Sequence, residues 1–167
     1  MKLTEEHVTR KLAKLLALQG SEIIAVHPPG GQGPFVIPKV AKLDNIERSS
    51  YHPDIVAIRT NSNGSITLII VECKLDESDL LSDIAKLTEL AKSHESLLYA
   101  LYRCSSFEKG PKTAFDFNAV SNLSTGHLPI EFVLACKSNE SSIKALQDIE
   151  KYKATLFTFS EYDLLEY

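Results

Sequence analysis

The chain has 167 residues, 44% of them hydrophobic, and carries 18 Lys and Arg against 22 Asp and Glu, a formal net charge of −4. This length is enough for one domain with its own core, so residues 1–167 are taken as a single domain of ordinary globular composition, which excludes collagen-like, low-complexity and broadly disordered chains. The mild acidity also argues against a protein that coats nucleic acid through bulk positive charge.

The apolar runs and the cysteines indicate in which cellular compartment the protein is expected. No apolar run approaches the roughly 18 residues of a membrane helix, and the N-terminus becomes charged at once, without the apolar segment of a secretory signal. Cys73, Cys104 and Cys136 are odd in number and far apart, which favours buried free thiols over a zinc site. We therefore expect a cytoplasmic protein that makes no membrane contact.

The N-terminal part predicts a helix, a strand and a loop. A helix is predicted from Thr4 to about Gln19, because apolar residues recur there at helical spacing, Thr4 can cap the helix and Gly20 follows it. Glu5 falls in the apolar sector of this helix, whereas Glu6 points away from it. A strand is predicted at 22–26. The Pro- and Gly-rich residues 28–34 predict a surface loop without the Gly-Lys-Ser/Thr sequence that binds phosphate.

The middle of the chain has the clearest pattern. β-rich runs at 55–60 and 65–73 flank the turn sequence Asn-Ser-Asn-Gly at 61–64, which predicts an antiparallel hairpin. Residues 68–71 are apolar on both faces, as in a central strand that is covered on both sides. An amphipathic helix with an acidic first turn is predicted at 76–92.

The C-terminal part predicts more strands and another helix. The predicted elements are strands at 96–104, 129–136 and 154–160, a helix at 139–152, and an irregular segment at 105–128 with a short helix around 113–120. This order of elements describes an α/β sandwich with a mixed sheet. The acidic end, residues 161–167, suits either a partner contact or a closing turn packed on the body.

Two short strings lie on the predicted hairpin: Pro53-Asp54 opens its first strand, and Glu72-Cys73-Lys74 closes its second. Both ends of an antiparallel hairpin meet at the same edge of the sheet, so two carboxylates and an ammonium come together there. Such a set can hold a hard divalent cation through oxygen ligands and place positive charge beside its bound water. Phosphodiester hydrolysis needs these components.

The turn decides whether the two carboxylates share a face of the sheet. With a two-residue turn, Asp54 faces Cys73 and the carboxylates lie on opposite faces. With a three-residue loop at 62–64 and Gly64 in the left-handed conformation, Asp54 faces Glu72. The metal site therefore requires the three-residue loop.

A Pro-Asp pair, seventeen intervening residues and then Glu-Cys-Lys, with a predicted helix on either side, resembles the PD-(D/E)XK nuclease superfamily. The element order of roughly residues 1–105 is similar as well. The resemblance implies a restriction-endonuclease-like fold, a three-layer α/β sandwich whose mixed sheet has a central antiparallel hairpin flanked by helices. It also implies a Mg²⁺-dependent endonuclease that accepts Mn²⁺ as a substitute and acts on nucleic acid, with DNA favoured.

The resemblance assigns roles to the residues of the motif. Asp54 and Glu72 would bind the metal, with the main-chain carbonyl of Cys73 as a further ligand. Lys74 would position or activate the attacking water. With Asp54 and Glu72, it completes the predicted catalytic set.

Residues outside the motif are also implicated. Many members of the superfamily place an acidic residue of the first helix at the metal; Glu5 is the candidate because it lies in the core-facing sector, and Glu6 is the alternative. Candidates for contacts with backbone phosphates are Lys39, Lys42, Arg48, Arg59, Lys109 and Lys112.

A non-catalytic interpretation competes with the nuclease. Asp54 could simply begin a strand, and Glu72 with Lys74 could form a solvent-facing ion pair. The chain would then be a nuclease-like subunit or a protein-interaction module, because a fold alone does not determine function. The predicted partners are nucleic acid and, for cutting two strands, a second copy of the chain or a partner subunit.

Overall fold

The structure is a computed structural model and describes residues 2–27, 37–38, 50–76, 80, 129–138 and 154–165. The helices whose bounds lie in these ranges are α1 (Glu5–Leu18) and a short C-terminal helix α2 (Glu161–Leu165), and Leu80 is also helical. The strands are β1 (Glu22–Val26), β2 (Ile37–Pro38), β3 (Ser50–Tyr51), β4 (Ile55–Thr60), β5 (Ile66–Lys74), β6 (Ile130–Lys137) and β7 (Thr155–Phe159).

Five of the strands form one mixed sheet in the order β1, β4, β5, β6, β7. β4 pairs antiparallel with both β1 and β5, whereas β6 pairs parallel with both β5 and β7. β2 and β3 form a separate antiparallel pair of two residues each. The predicted α/β class with a mixed sheet is confirmed, and the β4–β5 hairpin occupies the middle of that sheet.

Helix α1 forms where the apolar residues recur at helical spacing, and Val8, Leu12 and Leu16 are its buried apolar residues. It begins after Thr4, whose backbone N–H donates to Nδ1 of His7 at 3.2 Å. Two glutamates occupy the first turn, where the helix dipole favours negative charge. This face of α1 packs on the sheet.

One core lies between α1 and the sheet. It contains alternate residues of the central strands, namely Ile55, Ala57, Ile69, Val71, Cys73, Val133 and Ala135. Because residues 68–71 of β5 are all 0% exposed, both faces of this strand are covered. The predicted central strand is therefore confirmed. Leu164 of α2 joins the core beside α1, so this part of the acidic end packs on the body.

The strands predicted at 22–26 and 55–60 are confirmed without a shift. Those predicted at 65–73, 129–136 and 154–160 differ from the structure by one residue at each end. Several predicted elements lie outside the described residues: the loop at 28–34, the strand at 96–104, the segment at 105–128, the helix at 139–152, and most of the helix at 76–92.

Two further predictions can be compared with the described residues. Cys73 and Cys136 are buried free thiols, as predicted, whereas Cys104 lies outside the described part of the chain. None of the helices in the described ranges is long and apolar enough to cross a membrane.

Candidate active site

The turn between β4 and β5 has the three-residue form that the predicted site requires. Asn61 N–H donates to the Ser65 carbonyl (2.8 Å), and Gly64 N–H donates to the Asn61 carbonyl (2.9 Å), which leaves residues 62–64 as the loop. Gly64 has φ 79°, a left-handed conformation that costs glycine little. The side-chain oxygen of Asn63 accepts a hydrogen bond from Ser65 N–H at 2.9 Å and closes the turn.

This loop sets the register of the hairpin. Ile55 pairs with Val71, so one step outward sets Asp54 opposite Glu72. The alternative in which Asp54 faces Cys73 is wrong, and the prediction of a three-residue loop is confirmed.

Asp54 is held at the start of β4 by backbone and side-chain contacts. Its N–H donates to the Val71 carbonyl at 3.0 Å, and its own carbonyl accepts the N–H of His27 at 2.8 Å. Its Oδ2 accepts the N–H of Cys73 at 2.7 Å, a short hydrogen bond of the kind that an ionised acceptor favours. The Asp54 carboxylate thus acts as the hydrogen-bond acceptor for β5 at the position just before β4 begins, where a main-chain carbonyl would otherwise be needed.

The same contact fixes the direction of the Cys73 main chain. Because the N–H and C=O groups of one strand residue point to the same side of the strand, the Cys73 carbonyl points to the side on which Asp54 lies. This is the main-chain oxygen predicted as a metal ligand. The Cys73 side chain lies in the core under α1, and strand alternation therefore directs it away from the face of Glu72.

Burial has the largest effect on the pKa of the Cys73 thiol, and nearby carboxylates add to it. Burial raises that pKa well above its ordinary value, and the carboxylate of Asp54 raises it further. Glu72 and Glu5 act in the same direction, whereas a hydrogen bond with Thr9 opposes them. Three carboxylates therefore lie within electrostatic reach of one sulfur atom, and the thiol stays protonated and unreactive.

Lys74 follows Glu72 by two residues, so the two residues share a face of β5. Glu72 is 5% exposed. The Nζ of Lys74 lies 3.5 Å from Oε2 of Glu5, and both side chains are about three-quarters buried. Glu6 instead forms an exposed ion pair with Arg10. Of the two helix acids, Glu5 is the one that the structure brings to the site, where it contacts the lysine.

The donor set is suited to a hard cation but is small. Among the described residues, no group of three or more His, Cys, Asp or Glu side chains is arranged to hold a metal ion. Asp54 and Glu72 supply two buried carboxylates, and the Cys73 carbonyl supplies a main-chain oxygen. Mg²⁺ is commonly held by one or two carboxylates with water in its remaining positions, so these donors fit it chemically. Metal binding by Glu5 stays a prediction.

Of the six predicted phosphate contacts, Arg59 is the one in the described residues. It lies five residues along β4 from Asp54, roughly 17 Å at the usual strand rise, and forms an ion pair with Glu131 of β6. The structure does not bring Arg59 to the site. The other five lie outside the described residues: Lys39, Lys42, Arg48, Lys109 and Lys112.

Two histidines outside the motif lie beside Asp54. His27 directly follows β1 and is 2% exposed. Its ring centre is 6.0 Å from that of His52, with the ring planes at 67°. Burial lowers the pKa of His27; the nearby Pro53 main chain opposes this effect, and His52 adds to it. The proximity of the two rings depends on the pairing of β1 with β4, for which the sequence pattern carries no signal.

Comparisons of the chain with protein-family models, with curated proteins and with solved structures found no match. The functional interpretation therefore depends on the geometry of the hairpin end. That geometry consists of two buried carboxylates on facing strands, a main-chain carbonyl between them, and a lysine in contact with a helix glutamate.

Proposed function

We propose that this chain is a Mg²⁺-dependent nuclease of the PD-(D/E)XK type that hydrolyses phosphodiester bonds in nucleic acid, with DNA as the favoured substrate. The proposal is carried by the hairpin register, in which buried Asp54 stands opposite buried Glu72 and Lys74 follows on the same strand. A restriction-endonuclease-like three-layer sandwich belongs to the same proposal. A helix on one face of a mixed sheet with a central hairpin supports it.

The negative charge of the Asp54 and Glu72 carboxylates favours a bound cation between them. Asp54 and Glu72 are 8% and 5% exposed, and two carboxylates buried side by side repel each other unless positive charge compensates them. The Lys74 ammonium is near this pair of carboxylates, but it also forms an ion pair with Glu5. Among the residues that the structure describes at this end of the hairpin, the ionised side chains of Asp54, Glu72 and Glu5 carry three negative charges and Lys74 one positive charge, an excess that a divalent cation would neutralise.

In this proposal each residue has a distinct task. Asp54 and Glu72, with the Cys73 carbonyl, hold the cation, which when bound polarises the phosphate and lowers the pKa of a bound water. Lys74 positions that water and offsets the negative charge that develops on the phosphate. Glu5 orients Lys74 through their ion pair.

A second candidate function is a nuclease-like module that binds a partner without catalysis. One observation favours it: the Oδ2 of Asp54 already accepts the Cys73 N–H, and Lys74 already contacts Glu5. Both groups therefore have structural contacts that do not need a metal. Such a protein would keep the scaffold and lack Mg²⁺ uptake.

A cleavage assay separates the two functions. The full chain is incubated with Mg²⁺ or Mn²⁺ and a panel of linear, branched and single-stranded DNA and RNA. We expect metal-dependent cleavage that falls at least about 100-fold in Lys74→Ala, because the variant loses the charge that acts on the transition state. Lys14→Ala, an exposed lysine of α1, is the matched control and should cut like the parent.

Calorimetry with Mg²⁺ gives the second measurement. The nuclease predicts uptake that is lost in Asp54→Asn. Absence of both cleavage and Mg²⁺ uptake in a folded parent protein would favour the binding module. Equal cleavage by Lys74→Ala and the parent would show that Lys74 is not catalytic.

A further inference from the structure

The ends of two strands bring a pair of histidines together on the far side of Asp54 from Glu72. His27 continues β1, and its N–H donates to the Asp54 carbonyl at 2.8 Å. His52 precedes β4 by three residues and is partly exposed. Their ring centres are 6.0 Å apart. The pair is separate from the nuclease motif, because none of the roles proposed above uses either ring.

His27 is the unusual member of the pair. It is 2% exposed, and neither of its ring nitrogens forms a hydrogen bond of normal geometry with the residues that the structure describes; the Pro53 main chain makes only a weaker contact with the ring. Buried polar atoms almost always have a partner, and an orphaned one calls for an explanation such as a bound water or ion. A ligand that accepts an electron pair from nitrogen would satisfy this ring.

The distance between the rings suits one shared metal ion. With metal–nitrogen bonds of 2.0–2.1 Å, two imidazoles on one tetrahedral ion have ring centres about 5 Å apart. The observed 6.0 Å is about 1 Å longer, a difference that a small side-chain rotation closes. We propose that His27 and His52 together bind one divalent transition-metal ion of the Zn²⁺ class, with water or other ligands in the remaining positions.

The chemistry of the ligands separates this ion from the cation of the proposed nuclease site. Imidazole nitrogen suits Zn²⁺, Co²⁺ and Ni²⁺, whereas Mg²⁺ takes oxygen ligands. The imidazole site joins the end of β1 to the segment that leads into β4. It therefore goes beyond the proposed nuclease function and can exist without it.

The test is a Zn²⁺ titration of the full chain by calorimetry after removal of metals with a chelator. It is done in a large excess of Mg²⁺, and it is repeated in the double variant Asp54→Asn, Glu72→Gln, which lacks the carboxylate pair. We expect one Zn²⁺ per chain in both proteins. His27→Gln and His52→Gln should each weaken Zn²⁺ binding by at least about tenfold.

His7→Gln is the control, because His7 lies at the start of α1 and contacts Thr4. Its Zn²⁺ affinity should equal that of the parent. Unchanged affinity in both folded pair variants, or uptake that disappears only in the carboxylate double variant, would overturn the proposal. If circular dichroism shows that His27→Gln does not fold, His52→Gln decides alone. Cleavage in Mg²⁺ is scored separately, so failure of either site is distinguishable from failure of the other.

Discussion

At the scale of single residues, the Asp54 carboxylate combines a structural task with a proposed chemical one. One oxygen accepts the buried N–H of Cys73 at 2.7 Å, and the carboxylate as a whole is a proposed ligand of the cation. Replacement can separate these tasks, because an amide oxygen still accepts a hydrogen bond but carries no charge.

We therefore predict that two substitutions at this position differ in how much they destabilise the protein. Asp54→Ala leaves the Cys73 N–H without its acceptor and should lower the free energy of unfolding by about 1–3 kcal/mol. Asp54→Asn keeps an acceptor and relieves repulsion with Glu72, so its unfolding free energy should stay within about 1 kcal/mol of the parent value. Urea unfolding measures both. Equal destabilisation by Ala and Asn would contradict the hydrogen-bond role.

Glu5 and Glu6 offer a second comparison at this scale. If Glu5 orients Lys74, Glu5→Gln should lower cleavage roughly tenfold or more while changing stability by less than about 1 kcal/mol, since the ion pair is partly exposed. Glu6→Gln removes an exposed pair with Arg10 and should cut like the parent. Cleavage rates under single-turnover conditions make the comparison; a similar loss in both variants would remove the special role of Glu5.

At the scale of elements, the hairpin turn determines the site. Gly64 has φ 79°, and a Cβ built on it would have no atom within 4 Å, so a substitution there meets conformational strain and no steric clash.

Gly64→Ala should therefore lower the free energy of unfolding by about 1–2 kcal/mol, which is the usual cost of the left-handed conformation for a residue with a Cβ. Gly64→Asn should cost less, because asparagine tolerates this conformation. Urea unfolding of the two variants beside Ser62→Ala, an exposed change in the same loop, checks the order. An alanine variant as stable as the parent would show that the loop can adopt another form.

The elements also show what the sequence could predict and why. The strands at 55–60 and 66–74 and their turn are local, so alternation and the turn sequence were enough to locate the hairpin. They left two registers open, and the three-residue loop of the structure is what places Asp54 opposite Glu72. The ion pair of Glu5 with Lys74 depends on how α1 lies across the sheet, and helical spacing indicates only which face is buried. The approach of His27 to His52 likewise depends on a long-range pairing.

At the scale of the whole molecule, His27 links protonation to global stability. Its pKa is lowered in the folded state because burial disfavours the charged ring. The unfolded chain therefore binds a proton more readily than the folded chain below about pH 6.5. The contribution of His27 to the free energy of unfolding is fully present above that pH and is lost progressively as the pH falls.

We accordingly predict that the free energy of unfolding of the metal-free protein rises between pH 5 and pH 7. His27→Gln should show a shallower rise, and His7→Gln should keep the slope of the parent. Urea unfolding at several pH values with a chelator present measures the slope. A parent and a His27→Gln variant with the same pH dependence would contradict this account.

The sheet changes from antiparallel to parallel pairing at β5, and this has a consequence for the order of folding. The hairpin that carries Asp54 and Glu72 closes through three loop residues, whereas the next strand pairs residues 68–74 with residues 130–136 and needs a long chain closure. We expect the hairpin to be structured in the folding transition state and β6 to dock afterwards. In a chain emerging from the ribosome, the two carboxylates would face each other before the sheet that buries them is complete.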